Sequence, residues 1–310
     1  MGFRQPTARE TGFKRKQVIN NVALGAFILV LLVLAPVAYN RLVGNRLSER
    51  RQLRDYFEIG AFDEAYIQSA SMLSERPLDH YLLTIHGFSS YQLAIAQINS
   101  VDTLSYVDES IWSLRKALLP RENSQDGSVF YVLGKAYYYK GQSYADLAVE
   151  YLEKAVAANF RASDIPEFLG LAYAALGDYR SSVAAFSLAF KDDGEPSDLL
   201  LLSIARSYLA MEETESARAY LVRCLEVSRD SNTIAVARLL YGNTLAITGD
   251  FAGVEAEFLK VIEDNGDNAE ARFQLGELYA LTGDTTRARA EWRRAFRLDP
   301  SHGPARSRLN

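Results

Sequence analysis

One pattern constrains this chain more than any other. A Leu-Gly pair is followed after three residues by tyrosine, then by a Gly-Asp break and a second apolar run. The clearest copy is AEARFQLGELYALTGDTTRARAEWRRAFRLDP, residues 269–300. Leu275, Gly276 and Tyr279 share one face of a first helix, and Ala288, Trp292 and Ala295 recur at four- and three-residue steps on a second. Small Gly276 and Ala288 let two helices approach, while Tyr279 and Trp292 fill the space beside the contact. Gly283 suits the positive φ that stops a helix, and Pro300 cannot extend one.

The arrangement returns toward the N-terminus. Tyr241, Gly242 and Leu245 precede Gly249-Asp250, Val254, Phe258 and Val261. Ile204, Ala205 and Tyr208 precede Ala217, Leu221 and Cys224; Leu169, Gly170 and Tyr173 precede Gly177-Asp178, Ser182, Phe186 and Ala189. Leu133, Gly134 and Tyr137 precede Gly141, Ala148, Leu152 and Ala155, with a longer turn. His86-Gly87 opens an extended copy that closes on Ile111, Leu114 and Ala117, and a degenerate one holds Leu53, Tyr56, Gly60, Ala65 and Pro77. A hairpin of this size cannot bury its apolar face alone, so successive copies must stack.

The period and the order Leu-Gly, Tyr, Ala, Phe, Ala, Pro resemble the tetratricopeptide repeat. The resemblance covers residues 46–302, in units near 46–79, 80–126, 127–162, 163–197, 198–234, 235–268 and 269–302, with a tail at 303–310. It implies an all-α, right-handed solenoid of about seven helical hairpins. The aromatic that often opens the repeat is absent from most units; Phe130 is an exception, and Arg238 and Arg272 stand there in the last two. Tyr137, Tyr173, Tyr208, Phe186, Phe258 and Trp292 read as packing residues, and Cys224 as an inert buried thiol.

In such a solenoid the first helices line a groove that binds other proteins or peptides. Carried over by helix face, the groove residues are Tyr131, Lys135, Tyr138, Tyr139, Glu167, Leu171, Leu202, Arg206, Leu209, Leu239, Asn243, Phe273 and Glu277. The run Tyr137-Tyr138-Tyr139 is the sharpest feature: Tyr137 is expected in the core, Tyr138 and Tyr139 in the groove, where alanine should replace them with little change in melting. Family members that clamp a terminal carboxylate use Lys, Arg and Asn on neighbouring first helices. Lys135, Arg206 and Asn243 are too scattered for that, which favours an extended or helical peptide or a flat protein surface.

Ahead of the repeats, residues 18–40 carry no charge, and Val22–Tyr39 reads VALGAFILVLLVLAPVAY. Eighteen helical residues span roughly 27 Å, about the thickness of a bilayer's hydrocarbon. The run predicts one transmembrane helix between a basic tail, 1–17, and a basic juxtamembrane segment, 41–52. Lys14, Arg15 and Lys16 before the run favour a solenoid outside the cytoplasm, in bacteria the periplasm. The basic residues from Arg41 to Arg54 argue for the cytoplasmic face.

Residues 1–54 hold ten Lys and Arg and two acids, which leaves residues 55–310 with a net charge of about −13. A body this acidic repels a phosphate backbone, so nucleic acid is not an expected partner. No HExxH, paired CxxC, GxxxxGK[ST], GxGxxG or GxSxG occurs. His80 and His86 fall on different faces of one helix, unsuited to a shared metal. No catalytic residue, metal or cofactor is predicted, and homo-oligomerisation is left open. The chain reads as a membrane-anchored scaffold for partner proteins. The alternative is an accessory or regulatory subunit of a membrane enzyme, transporter or bacterial envelope or flagellar machine, bound through its membrane helix.

Overall fold

The computed structural model describes residues 47–97, 100–119, 126–190 and 196–310. The apolar run at 18–40, the tail at 1–17 and residues 41–46 lie outside the described residues. Among those described, no helix is long and apolar enough to cross a membrane.

The described residues form helices and no strand. They pair as hairpins: α1 (47–58) with α2 (Phe62–Glu75), α3 (His80–Ala96) with α4 (Ser100–Leu118), and α5 (Gly127–Lys140) with α6 (Ala145–Ala157). Next come α7 (Ile165–Ala175) with α8 (Tyr179–Ala189), and α9 (Asp198–Ala210) with α10 (Thr214–Val227). The last pairs are α11 (Ser231–Ile247) with α12 (Phe251–Asp264) and α13 (Ala269–Leu281) with α14 (Thr285–Leu298), followed by a short α15 (Gly303–Leu309). A boundary expected at 234/235 falls inside α11, because the Asp230 carboxylate already accepts the Thr233 amide and starts the helix there.

The small residue of each first helix is where its partner leans in. A Cβ on Gly276 would sit 2.5 Å from Trp292 Cδ1, and one on Gly170 would sit 2.5 Å from the Phe186 ring. Neither has room to exist, so glycine sets the distance between the helices and the large residue seals it. Burying such a ring contributes about 1.5–3 kcal/mol. In the α9–α10 hairpin Ala205 and Leu221 hold the corresponding places, both fully buried. In the last two hairpins an ion pair stands in for the missing opening aromatic. Arg238 reaches Glu257 at 2.9 Å and Arg272 reaches Glu291 at 3.3 Å, each carboxylate being buried next to Phe258 or Trp292. A buried carboxylate needs such a partner.

The Gly-Asp break does two jobs. Gly283, at φ 88°, turns the chain out of α13, and Asp284 then accepts the Arg287 amide at 2.9 Å to cap α14. In the α9–α10 turn the same left-handed conformation is held by Glu212, at φ 62°.

Contacts are densest within a hairpin and then between consecutive hairpins. First helices also touch first helices: α3 with α5, α5 with α7, α7 with α9, and α9 with α11. No second helix meets the next second helix to that extent among the described residues. The first-helix layer is therefore the tight side of the stack, and its surface is where residues from several hairpins converge.

Candidate interaction surface

The surface is built around α5. The Asp126 carboxylate accepts the Ser128 and Val129 amides and starts this helix. Gly134, against Leu152, and Tyr137 then fix which face is inward. Tyr137 is buried and stacks on Tyr151 of α6, with centroids 5.5 Å apart. Helical rotation leaves Tyr138 at the edge of that core and turns Tyr139 away from it. Tyr138 meets Phe168 of α7 edge-on at 5.5 Å, and Tyr139 approaches the same ring at 6.1 Å. Tyr91 of α3 lies 6.1 Å from Tyr139. Three consecutive first helices thus share one aromatic surface, and Tyr139 is its open part, 40% exposed.

A charged network runs beside it. Tyr131 OH donates to Asp164 Oδ1 at 2.7 Å, and Lys135 Nζ donates to Asp164 Oδ2 at 2.7 Å and to Tyr131 OH at 2.9 Å. The Lys135 ammonium also sits 4.4 Å from the Phe168 centroid and 4.9 Å from that of Tyr131. Burial, and then the bond to Asp164, push the Tyr131 phenol well above its ordinary pKa.

Glu167, one turn into α7, differs from Asp164. It has no hydrogen bond or ion pair to any described residue. Burial raises its pKa above the usual carboxylate range; the Asp164 charge adds to the rise and Lys135 opposes it. The hydroxyls of Tyr138 and Tyr139 are also raised, by burial first, with the Glu167 charge contributing to both. The surface therefore combines open aromatic rings with a half-buried carboxylate that Lys135 offsets only in part.

Of the groove residues expected from sequence, Tyr131, Lys135, Tyr138, Tyr139 and Glu167 come together here. Lys135 is already engaged by Asp164. Tyr138 is half-buried against the cluster that holds Leu133 and Tyr137, which corrects the expectation that it is freely replaceable. Leu171 packs against the cluster of Phe186, Leu200 and Ile204. Leu202 and Leu239 are not groove residues: at 5% and 8% exposure they are core, packed among residues of their own and the next hairpin. Arg206 and Asn243 are exposed and Leu209 is half-buried.

At the C-terminal end the expected tail is a helix. The His302 side chain accepts the Ala305 amide at 3.1 Å, Pro304 suits the first turn, and Leu309 packs against the last hairpin's core. This α15 covers the two remaining groove residues. The His302 ring lies 5.1 Å from that of Phe273, and Arg308 donates to both Glu277 oxygens at 3.0 and 2.6 Å.

Sequence reasoning missed Tyr91, Asp164 and Phe168. Tyr91 was within reach, because it stands four residues after Gly87 as Tyr138 stands four after Gly134. Asp164 lies in a loop outside the repeat register, and nothing local marks it.

Elsewhere, Ser69 Oγ meets His86 Nδ1 at 2.8 Å and His86 Nε2 meets Glu109 Oε1 at 3.1 Å, with Tyr66 stacked on the imidazole at 4.5 Å. Ser69 is wholly buried and also bonds the Tyr66 carbonyl. No substrate reaches that hydroxyl, and the network ties α2, α3 and α4 together. His80 Nδ1 turns elsewhere, to the Ala117 carbonyl oxygen at 2.9 Å. The Cys224 thiol is buried, which pushes its pKa up to about 11, and it donates to the Asp198 carbonyl at 3.3 Å. Among the described residues no group of three or more His, Cys, Asp or Glu could hold a metal ion.

Two stretches, residues 200–231 and 257–290, match models of the tetratricopeptide repeat. No curated protein sequence matches the chain. Among solved structures, the C-terminal part of a TPR repeat-containing protein from Cytophaga hutchinsonii is similar over 84% of this chain and 99% of its own. Its TM-score is 0.58 at 17% identity. PilW, a widely conserved type IV pilus biogenesis factor, is similar over 72% of this chain and 98% of its own, with TM-score 0.58 and 18% identity. PilF of Pseudomonas aeruginosa is similar over 71% and 95%, with TM-score 0.52 and 18% identity. At these identities the likeness shows the fold, a tetratricopeptide-like helical solenoid.

Proposed function

We propose that this tetratricopeptide-like solenoid is a membrane-anchored scaffold that recruits or assembles partner proteins on its first-helix face. The observation that carries the reading is the surface shared by α3, α5 and α7, where Tyr138, Tyr139 and Phe168 touch one another beside a carboxylate with no partner among the described residues. Tyrosines there offer large apolar contact area with a polar tip and little rotamer freedom to lose, which is the composition of protein interfaces. The repeat matches support the same reading, since stacked repeats present extended binding surfaces. The uncharged run at 18–40 supports the anchor. Lys14, Arg15 and Lys16 support a solenoid outside the cytoplasm.

The test places a photo-crosslinking amino acid at position 139, and separately at exposed Ala219 of α10, in native membranes. A discrete adduct from 139 and none from 219 is expected. Adducts from 219 alone would move the interface to the other face and end this reading. Carbonate extraction checks the anchor: the chain should stay with the membrane, and removal of residues 1–40 should release it. The accessory-subunit reading draws on the length of the same apolar run, and replacing 18–40 with an unrelated membrane helix separates the two. A scaffold keeps its adducts, whereas a subunit bound through that helix loses its complex.

A further inference from the structure

We infer that the Tyr138–Tyr139–Phe168 surface receives a basic side chain of an extended partner segment, arginine above all, with Glu167 as its counter-ion. The inference rests on the scaffold reading and gives that site a chemistry.

The local charges lead to it. Lys135 and Asp164 satisfy each other at 2.7 Å, and Tyr131 adds its hydroxyl to the same carboxylate. That leaves one negative charge, on Glu167, half-withdrawn from water among rings. Burial raises its pKa, and the Lys135 charge offsets that rise only in part. An anionic or phosphorylated segment would be repelled. A neutral apolar one would bury the carboxylate further without pairing it, which is costly. A cation both pairs it and lies on the rings.

The rings already hold a cation on their inner side, where the Lys135 ammonium is 4.4 Å from the Phe168 centroid. The Tyr139 side is open. Arginine suits this geometry better than lysine, because a planar guanidinium stacks on a ring while its fork reaches a carboxylate. The chain itself shows the combination at the other end of the same helix layer. There Arg308 donates to both oxygens of Glu277 and lies 5.7 Å from the Trp292 centroid. The body's net charge of about −13 also draws basic segments toward it.

The test uses the full chain in detergent micelles and three fluorescent nonapeptide pools, degenerate except at the centre, which is Arg, Lys or citrulline. Citrulline keeps the shape of arginine and removes its charge. Binding is read by anisotropy at about 0.15 M salt, where charges beyond about 8 Å are screened. The arginine pool should bind about tenfold more tightly than the citrulline pool, the size of one desolvated cation–π and carboxylate contact, with lysine between. Glu167→Gln should reduce that ratio to near one, and Glu167→Asp should restore part of it. Equal binding of the arginine and citrulline pools overturns the inference, as does an arginine preference that survives Glu167→Gln, or no binding by any pool. In each of those cases an adduct from position 139 leaves the scaffold reading standing; loss of that adduct as well ends both.

Discussion

At the C-terminal end of the first-helix face, Glu277 takes a two-pronged arginine from α15, and that arginine also lies near the Trp292 ring. On α5 and α7, Glu167 lies beside Tyr138, Tyr139 and Phe168 and has no cation of its own. The ingredients match, and the state differs. The C-terminal end of the face is closed by seven residues of the same chain; the stretch across α5 and α7 is left open. On a stack held only by neighbouring hairpins, the outermost hairpin must cover its free side or lose apolar surface to water. An internal surface has no such need, because its flanks are already packed, so exposed rings there cost the fold little and remain available.

The comparison can be broken at several points. The largest effect belongs to the covered end. Gly276→Leu drives a side chain into Trp292 and should cost about 3 kcal/mol in denaturant unfolding, the upper range for overpacking. An unchanged midpoint would mean that close helix contact does not hold that hairpin. On α5, Tyr138→Ala with Tyr139→Ala should cost about 2 kcal/mol, most of it from half-buried Tyr138, and abolish binding of the arginine peptide pool. Loss of stability with binding intact would make the patch a packing feature.

Between the two ends, Glu212→Gly should gain about 1 kcal/mol, because it relieves a left-handed backbone that only glycine adopts freely. Thermal melting measures that gain, and a loss would show that the Glu212 side chain contributes more than its strain costs. Arg308→Ala should cost the least stability of these substitutions, since the guanidinium is largely exposed. Its sharper readout is peptide binding: with Glu277 uncovered, the arginine pool should gain a second, weaker site.

The smallest effect concerns pH. A carboxylate whose pKa is raised on folding binds more protons in the native state, so its charged form weighs against the fold and the penalty fades as pH falls through the raised value. Glu167→Gln should therefore raise the melting temperature slightly at neutral pH and not in acid. Arginine-pool binding to the unsubstituted chain should weaken over the same acid range. A preference flat through that range would separate the carboxylate from the guest.

Much of the hairpin architecture was legible because it depends on residues only a few positions apart. Gly276, Tyr279, Gly283 and Ala288 each state a local requirement, and the structure meets each one. The site was legible only where it shares that register, as Tyr138 and Tyr139 do. Leu202 and Leu239 were misassigned because helix-face reasoning sees one helix, whereas their burial comes from the neighbouring hairpin. Arg238 and Arg272 stood out in the sequence, but their buried partners Glu257 and Glu291 lie across the hairpin, where no local pattern marks them. The C-terminal helix was missed because seven residues show too little periodicity, and its cap is a histidine rather than the usual Asp or Ser.

The seam of first-helix contacts from α3 to α11 has a mechanical consequence. A stack joined more closely along one edge than the other pivots about that edge, fanning open on the wide side like pages about a spine. A guest laid across α5 and α7 sits on the spine itself. Such a guest would stiffen that joint without closing any lid, and the hairpins on either side would lose freedom to swing about it.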